Sequence, residues 1–121
     1  MIDLAKLKAF ERPSVEKEIF LLGEMQNVSI STLKQTTGMK MASLNERDPE
    51  DRITALALFV SDALGIGIDD ARKICDVDID AANEIAVECG RLTREYDEKR
   101  KAERIAAEKN SGKAQENMPS A

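Results

Sequence analysis

The feature that most constrains this chain is a block of apolar residues from Ile53 to Leu64. Nine of its twelve residues are apolar. A helix that is apolar on most of its sides has to be surrounded by other elements, whereas a surface helix needs only one apolar stripe. Asp48 suits the N-cap, Pro49 the first helical position and Gly65 the left-handed C-terminus. The block therefore predicts a central core helix over residues 49–64.

A second long helical pattern begins near Ile79 and continues to Tyr96. Its apolar residues recur at steps of three and four, which indicates one buried stripe; they are Ile79, Ala82, Ile85, Ala86, Cys89, Leu92 and Tyr96. Gly90 either costs about 1 kcal/mol in this helix or allows another helix to approach closely. We predict a charged, solvated continuation to residue 105. A shorter amphipathic helix is predicted over residues 68–76.

The segment from residue 15 to residue 30 is open to two interpretations. Val28 and Ile30 alternate with polar residues after the turn-rich sequence GEMQN, which favours a β-hairpin. The preceding SVEKEIFLL also places three apolar residues on one face of a helix. We favour the hairpin, preceded by a short helix that stops before Pro13.

These elements predict a mainly α fold with a long C-terminal helix and a short N-terminal hairpin. A length of 121 residues allows one modest core. We expect a single helical domain over residues 1–108. Residues 109–121 have the composition of a disordered tail. Truncation of Leu56 or Phe59 in the central helix is expected to be the most damaging change.

The residue content argues against several functional classes. The chain has no His, no Gly-rich phosphate loop and no CxxC pair, so we expect neither an enzyme nor a metal or cofactor site. Cys75 and Cys89 are expected to be reduced packing residues. No apolar run is long enough to span a membrane and no signal peptide is evident, so a cytoplasmic location is expected. Residues 46–90 carry a net charge of −8, which disfavours nucleic-acid binding.

Residues 31–47 suggest an alternative function as a small DNA-binding regulator. They have the outline of a helix-turn-helix motif with Gly38 in the turn. Lys34 and Thr37, however, fall where such motifs need a small and an apolar residue. The preferred interpretation is a loop whose apolar residues fill the core; these are Met39, Met41 and Leu44.

The sequence DVDID, from Asp76 to Asp80, has the alternating aspartates of a calcium loop. That loop needs Gly at its sixth and Glu at its twelfth position. Here those positions are Ala81 and Val87, so no calcium site is expected. Asp78 or Asp80 is instead expected to cap the helix that follows.

The segment DPEDRITALALFVSDALGIGIDDARKICDVDIDAANEIAVECGRL is similar to the tail assembly chaperones of long-tailed bacteriophages. Members of that family share a central apolar helix, a turn, a short helix that ends near an acidic turn, and a longer closing helix. The similarity covers about residues 15–96 and lies in the organisation of elements rather than in a diagnostic motif. Gly65-Ile66-Gly67 stands where many relatives have a loop with more aspartate.

The resemblance implies a protein that coats the tape measure protein until tail tube subunits replace it. The implied partners are therefore the tape measure protein, the tail tube protein and further copies of this chain. Since the central helix is apolar on more than one side, part of it is expected to remain uncovered and to bind such a partner. The candidate surface for a partner or for self-association comprises Leu56, Phe59, Val60, Ile85, Leu92 and Tyr96.

Overall fold

The computed structural model describes residues 2–111, which form five helices and two strands. In chain order these are α1 (Leu4–Ala9), β1 (Ser14–Leu21), β2 (Glu24–Ser31), α2 (Gln35–Met41), α3 (Pro49–Leu64), α4 (Ile68–Val77) and α5 (Ile79–Ser111). This confirms the mainly α fold, the N-terminal hairpin and the long C-terminal helix. Helix α5 extends past the predicted end at residue 105. Residues 112–121 of the predicted tail lie outside the described residues.

The hairpin is closed by a two-residue turn. β1 and β2 pair antiparallel, and Leu22 and Gly23 between them have φ angles of 53° and 89°. Two successive positive φ angles are typical of the tight turn that matches the twist of paired strands. The inner face carries Ile19 and Ile30, which are fully buried. A two-stranded sheet is marginal alone, and here it packs against α3 and α5.

Helix α3 is the centre of the fold, as the apolar block predicts. The carboxylate of Asp48 accepts a hydrogen bond from the Glu50 N–H at 2.9 Å, and Gly65 ends the helix with a φ of 67°. The helix contacts α2, α4, α5 and β2. Neighbours on several sides explain why apolar residues surround most of its circumference. The predicted start, end and central position of this helix are confirmed.

Helix α5 packs through its first half and projects through its second. Ala82, Ile85 and Cys89 are fully buried, whereas residues 101–110 are all exposed. An alanine methyl built at Gly90 would lie 3.9 Å from a ring carbon of Phe59, an ordinary contact distance, so the approach of α3 to α5 does not require glycine at this position. The assignment of Ile79 to the buried stripe is wrong. As the first residue of α5 it lies at the open end of the helix pair and is 46% exposed.

Neither interpretation of residues 31–47 is correct in detail. Gly38 lies inside α2 and not in a turn, so these residues contain one short helix followed by turns. Met39 is 75% exposed, while Thr37 is buried. Hydrogen bonds to distant helices orient α2 in this way. The Lys34 N–H donates to the Asp62 carboxylate at 2.9 Å, and the Leu33 N–H donates to the Thr93 hydroxyl at 2.8 Å.

Asp78 connects the hairpin to the helices. One oxygen of its carboxylate accepts from the Ala81 N–H at 3.2 Å, which confirms the predicted cap of α5. The other oxygen accepts from the Leu22 N–H at 3.0 Å, so the hairpin tip is attached to the junction of α4 and α5. Among residues 2–111, no helix is both long and apolar enough to cross a bilayer.

Candidate partner-binding site

An open groove of about 560 Å³ runs between the N-terminal half of α3 and the first turns of α5. We call it the α3/α5 groove. It is lined by Pro49, Arg52, Ile53, Ala55, Leu56, Phe59, Ile79, Asn83 and Ala86. Small side chains at Ala55 and Ala86 leave space between the helices. Leu56 and Phe59 are half-buried, because one side of each packs against the core and the other faces the groove. The result is an apolar surface with few polar groups.

The structure divides the six predicted surface residues into three pairs. Leu56 and Phe59 line the α3/α5 groove, where a partner could contact them. Val60 and Ile85 are 0% exposed and belong to the core, so a partner cannot contact them in the folded chain. Their assignment to a partner surface is wrong, because the turns of α3 and α5 that carry them face each other and the hairpin. The third pair, Leu92 and Tyr96, lies elsewhere on α5.

Leu92 and Tyr96 line a second groove, of about 390 Å³, beside the segment that precedes β1. Its other lining residues are Phe10, Pro13, Glu95, Lys99, Arg100 and Glu103. The guanidinium of Arg100 lies over the Tyr96 ring, 5.5 Å from its centroid, at a distance typical of a cation–π contact. The sequence pattern does not predict that Phe10 and Pro13 line this groove. They lie in a different part of the chain from Leu92, so no helical spacing relates them to it.

The apolar face of α1 is uncovered. Ile2, Leu4, Leu7 and Phe10 are each at least 60% exposed. Within residues 2–111, helix α1 packs against no other helix or strand. Its N-terminus is capped, since the Asp3 carboxylate accepts from the N–H groups of Ala5 and Lys6 at 3.0 and 3.2 Å. The apolar side chains on this short helix and beside it are therefore mostly exposed, and Phe10 borders the groove that Leu92 and Tyr96 line.

A further apolar patch lies at the hairpin tip. It is formed by Phe20, Leu22, Met25 and Val77, each more than half exposed. Phe20 and Met25 are directly opposite each other across the two strands. The bond from Leu22 to Asp78 brings this tip beside the first residue of α5, Ile79, which also lines the α3/α5 groove. The hairpin tip and the α3/α5 groove are thus linked through two consecutive residues, Asp78 and Ile79.

Ion pairs attach β1 to the side of α5. Glu88 accepts hydrogen bonds from Arg91, one of them at 3.0 Å, and lies 3.5 Å from the Lys17 ammonium. Hydrogen bonding from Arg91, helped by both positive charges, lowers the pKa of Glu88 below its usual value. Lys17 also lies 3.7 Å from Glu84. Because these groups are partly exposed, each pair is worth at most about 1 kcal/mol.

The two cysteines lie in the core. Burial raises the pKa of the Cys89 thiol to about 11, and burial also raises the pKa of Cys75. Both thiols are therefore protonated near neutral pH, whereas the reactive form of cysteine is the thiolate. Across residues 2–111 no group of three or more His, Cys, Asp or Glu side chains has the spacing to hold a metal ion.

An open apolar groove between two helices is the geometry in which an amphipathic helix of a partner commonly binds. No family model, curated protein or solved structure matches this chain.

Proposed function

We propose that this protein is a tail assembly chaperone of a long-tailed bacteriophage. It binds the tape measure protein in the host cytoplasm and keeps it in solution until tail tube subunits replace it. The observation that carries the proposal is the α3/α5 groove, whose apolar lining includes Leu56 and Phe59. A tape measure protein is a long helical client, and a helix places apolar residues in such a groove at steps of three and four. The proposal includes no catalytic step and no cofactor.

The charge distribution supports the same role. Residues 46–90, which contain α3, α4 and the start of α5, carry a net charge of −8. A segment with this net negative charge attracts basic helical segments and keeps the free protein soluble. Many copies bound along one long client gain avidity, so no single groove has to bind tightly. Self-association of the chain brings such copies together.

The test is co-expression with the tape measure protein encoded beside this chain. Wild-type protein is expected to keep the client in the soluble fraction and to elute with it from a sizing column. Ala55→Arg places a long charged side chain in the groove and is expected to abolish co-elution. Val87→Arg is the matched control, since Val87 is 71% exposed and does not line the groove.

Both variants require a far-UV circular dichroism spectrum and a melting temperature to show that they are folded. A client that is equally soluble without this chain would contradict the proposal, as would Ala55→Arg protein that still binds like the control. Salt-dependent binding to duplex DNA by the wild-type protein would favour the regulator instead.

A further inference from the structure

The segment from residue 2 to residue 10, here called the N-terminal arm, is an amphipathic element. Its helix α1 has six residues, and isolated helices of that length are not stable in water. Its apolar side chains Ile2, Leu4, Leu7 and Phe10 are each at least 60% exposed, and within residues 2–111 helix α1 packs against no other helix or strand. An arm of this kind becomes stable when its apolar face is covered.

The same chain contains an apolar groove that needs a helix. The α3/α5 groove is open, is lined by half-buried apolar residues, and lies in the acidic part of the chain. The arm and the two residues after it carry three basic residues (Lys6, Lys8 and Arg12) and two acidic ones (Asp3 and Glu11). The arm segment is thus slightly positive, whereas residues 46–90 have a net charge of −8. The two surfaces are both apolar. The groove lining itself holds one cation, Arg52, and no carboxylate, so the favourable charge difference is that between the arm and the acidic segment that carries the groove.

We propose that the N-terminal arm of one copy docks in the α3/α5 groove of a second copy. The contacts of Arg12 and Pro13, which follow the arm in the chain, argue against docking of the arm in the groove of the same copy. Arg12 donates to the backbone carbonyls of Thr32 and Asp62, and the Pro13 carbonyl accepts from the Thr32 N–H at 3.1 Å. These bonds hold the arm at the C-terminal end of α3, whereas the groove lies along its N-terminal half.

The arm and the groove also lie on different faces of α5. Phe10 lies in the groove lined by Leu92, while Ala86 lines the α3/α5 groove. Six residues separate Leu92 from Ala86, which at 3.6 residues per turn places them about 120° apart around the helix. An arm that folded back would have to pass around α5. A second copy meets no such obstacle.

The arm of one copy and the groove of another are different surfaces. Two copies that exchange arms reciprocally close as a two-fold dimer, whereas an arm that enters a third copy extends the assembly into a ring or an open chain. The exchange thus produces the multiple copies that the proposed function uses, and it covers the groove until a client helix displaces the arm.

The first test needs no client, so its result is independent of whether the proposed function is correct. Light scattering coupled to a sizing column is run over a concentration series. Wild-type protein is expected to exceed the chain mass of 13.4 kDa as concentration rises. The double variant Leu4→Ser, Leu7→Ser is expected to remain at 13.4 kDa. It should fold normally, because these side chains contact no other element.

The matched control is the double variant Met39→Ser, Val87→Ser. It removes two equally exposed apolar side chains outside the arm and the groove, and is expected to assemble like the wild type. Wild-type protein that stays monomeric at all concentrations would overturn the proposal. So would arm variants that assemble normally, or a control that loses assembly to the same extent as the arm variant.

The second test identifies the two surfaces in contact. Leu7→Cys protein is mixed with Ala55→Cys protein and treated with copper–phenanthroline as oxidant. A disulfide-linked dimer that contains one chain of each kind is expected, and wild-type protein should give none because Cys75 and Cys89 are buried. Absence of the mixed dimer would overturn the proposal. A disulfide within single chains of the double variant Leu7→Cys, Ala55→Cys, with no mixed dimer, would show docking of the arm in its own groove.

Discussion

Replacing Gly90 by alanine should stabilise this protein. Gly90 lies inside α5 with a helical backbone, and an added methyl would lie 3.9 Å from the Phe59 ring, an ordinary contact distance. Alanine is favoured over glycine in a helix interior by about 0.8–1.0 kcal/mol. The new contact adds roughly 0.1–0.2 kcal/mol for each atom pair at optimal distance. The free energy of unfolding should therefore rise by about 1 kcal/mol, which for a domain of this size raises the melting temperature by about 3–6 °C.

Gly65→Ala is the control, because it makes the same chemical change with the opposite expected sign. Among the described residues, no atom lies within 4 Å of a methyl built at Gly65, so crowding does not oppose this change. Its φ of 67°, however, is in the left-handed region, which costs a residue with a Cβ about 1–2 kcal/mol. Urea denaturation of both variants and the wild type measures the two changes. A destabilised Gly90→Ala protein would refute the reasoning, since it would mean that α3 and α5 approach too closely for a methyl.

Three further predictions concern the core and its titratable groups. Ile85→Ala should lower the free energy of unfolding by about 2–5 kcal/mol. Leu56→Ala should lower it by less, because Leu56 borders an open groove whereas Ile85 is fully buried. Urea denaturation of both variants measures the two losses of stability. In the folded chain the pKa of Cys89 is raised from 9.0 to about 11, so the free energy of unfolding of the wild type should fall, relative to that of Cys89→Ala, as pH rises from 9 to 11. Urea midpoints of the two proteins that changed in parallel over this pH interval would contradict the prediction. The pKa of Glu88 is lowered from 4.5, so its stabilising effect is present above that pH and is lost as pH falls through the folded-state pKa. Melting curves of wild type and Glu88→Gln should therefore converge in acid, and a constant difference at every pH would count against the Arg91 contact as the cause.

Much of the local structure follows from the sequence alone, because neighbouring residues specify it. Asp48, Pro49 and Gly65 mark the two ends of α3 through a side-chain cap, a fixed φ and a left-handed residue. The hairpin follows from alternation of apolar and polar residues around a short turn. The early part of α5 follows from its stripe at steps of three and four. Each of these signals spans only a few residues.

The candidate site depended on contacts between distant parts of the chain. Leu56, Phe59 and Val60 belong to one apolar block, and only the packing of α5 and the hairpin against α3 decides that Val60 is buried while the other two border a groove. The sequence pattern is the same for every residue of an apolar stripe, whether another element covers that residue or leaves it at the surface.

Helix α2 and the N-terminal arm show the same limit. Hydrogen bonds from Lys34 to Asp62 and from Leu33 to Thr93 orient α2 across separations of 28 and 60 residues. These bonds turn Thr37 inward and leave Met39 exposed, which the local sequence does not predict. The apolar face of α1 is readable from its spacing, but its lack of neighbours is a property of the folded chain. Periodicity tells which residues favour burial, whereas only the tertiary structure decides which of them are covered.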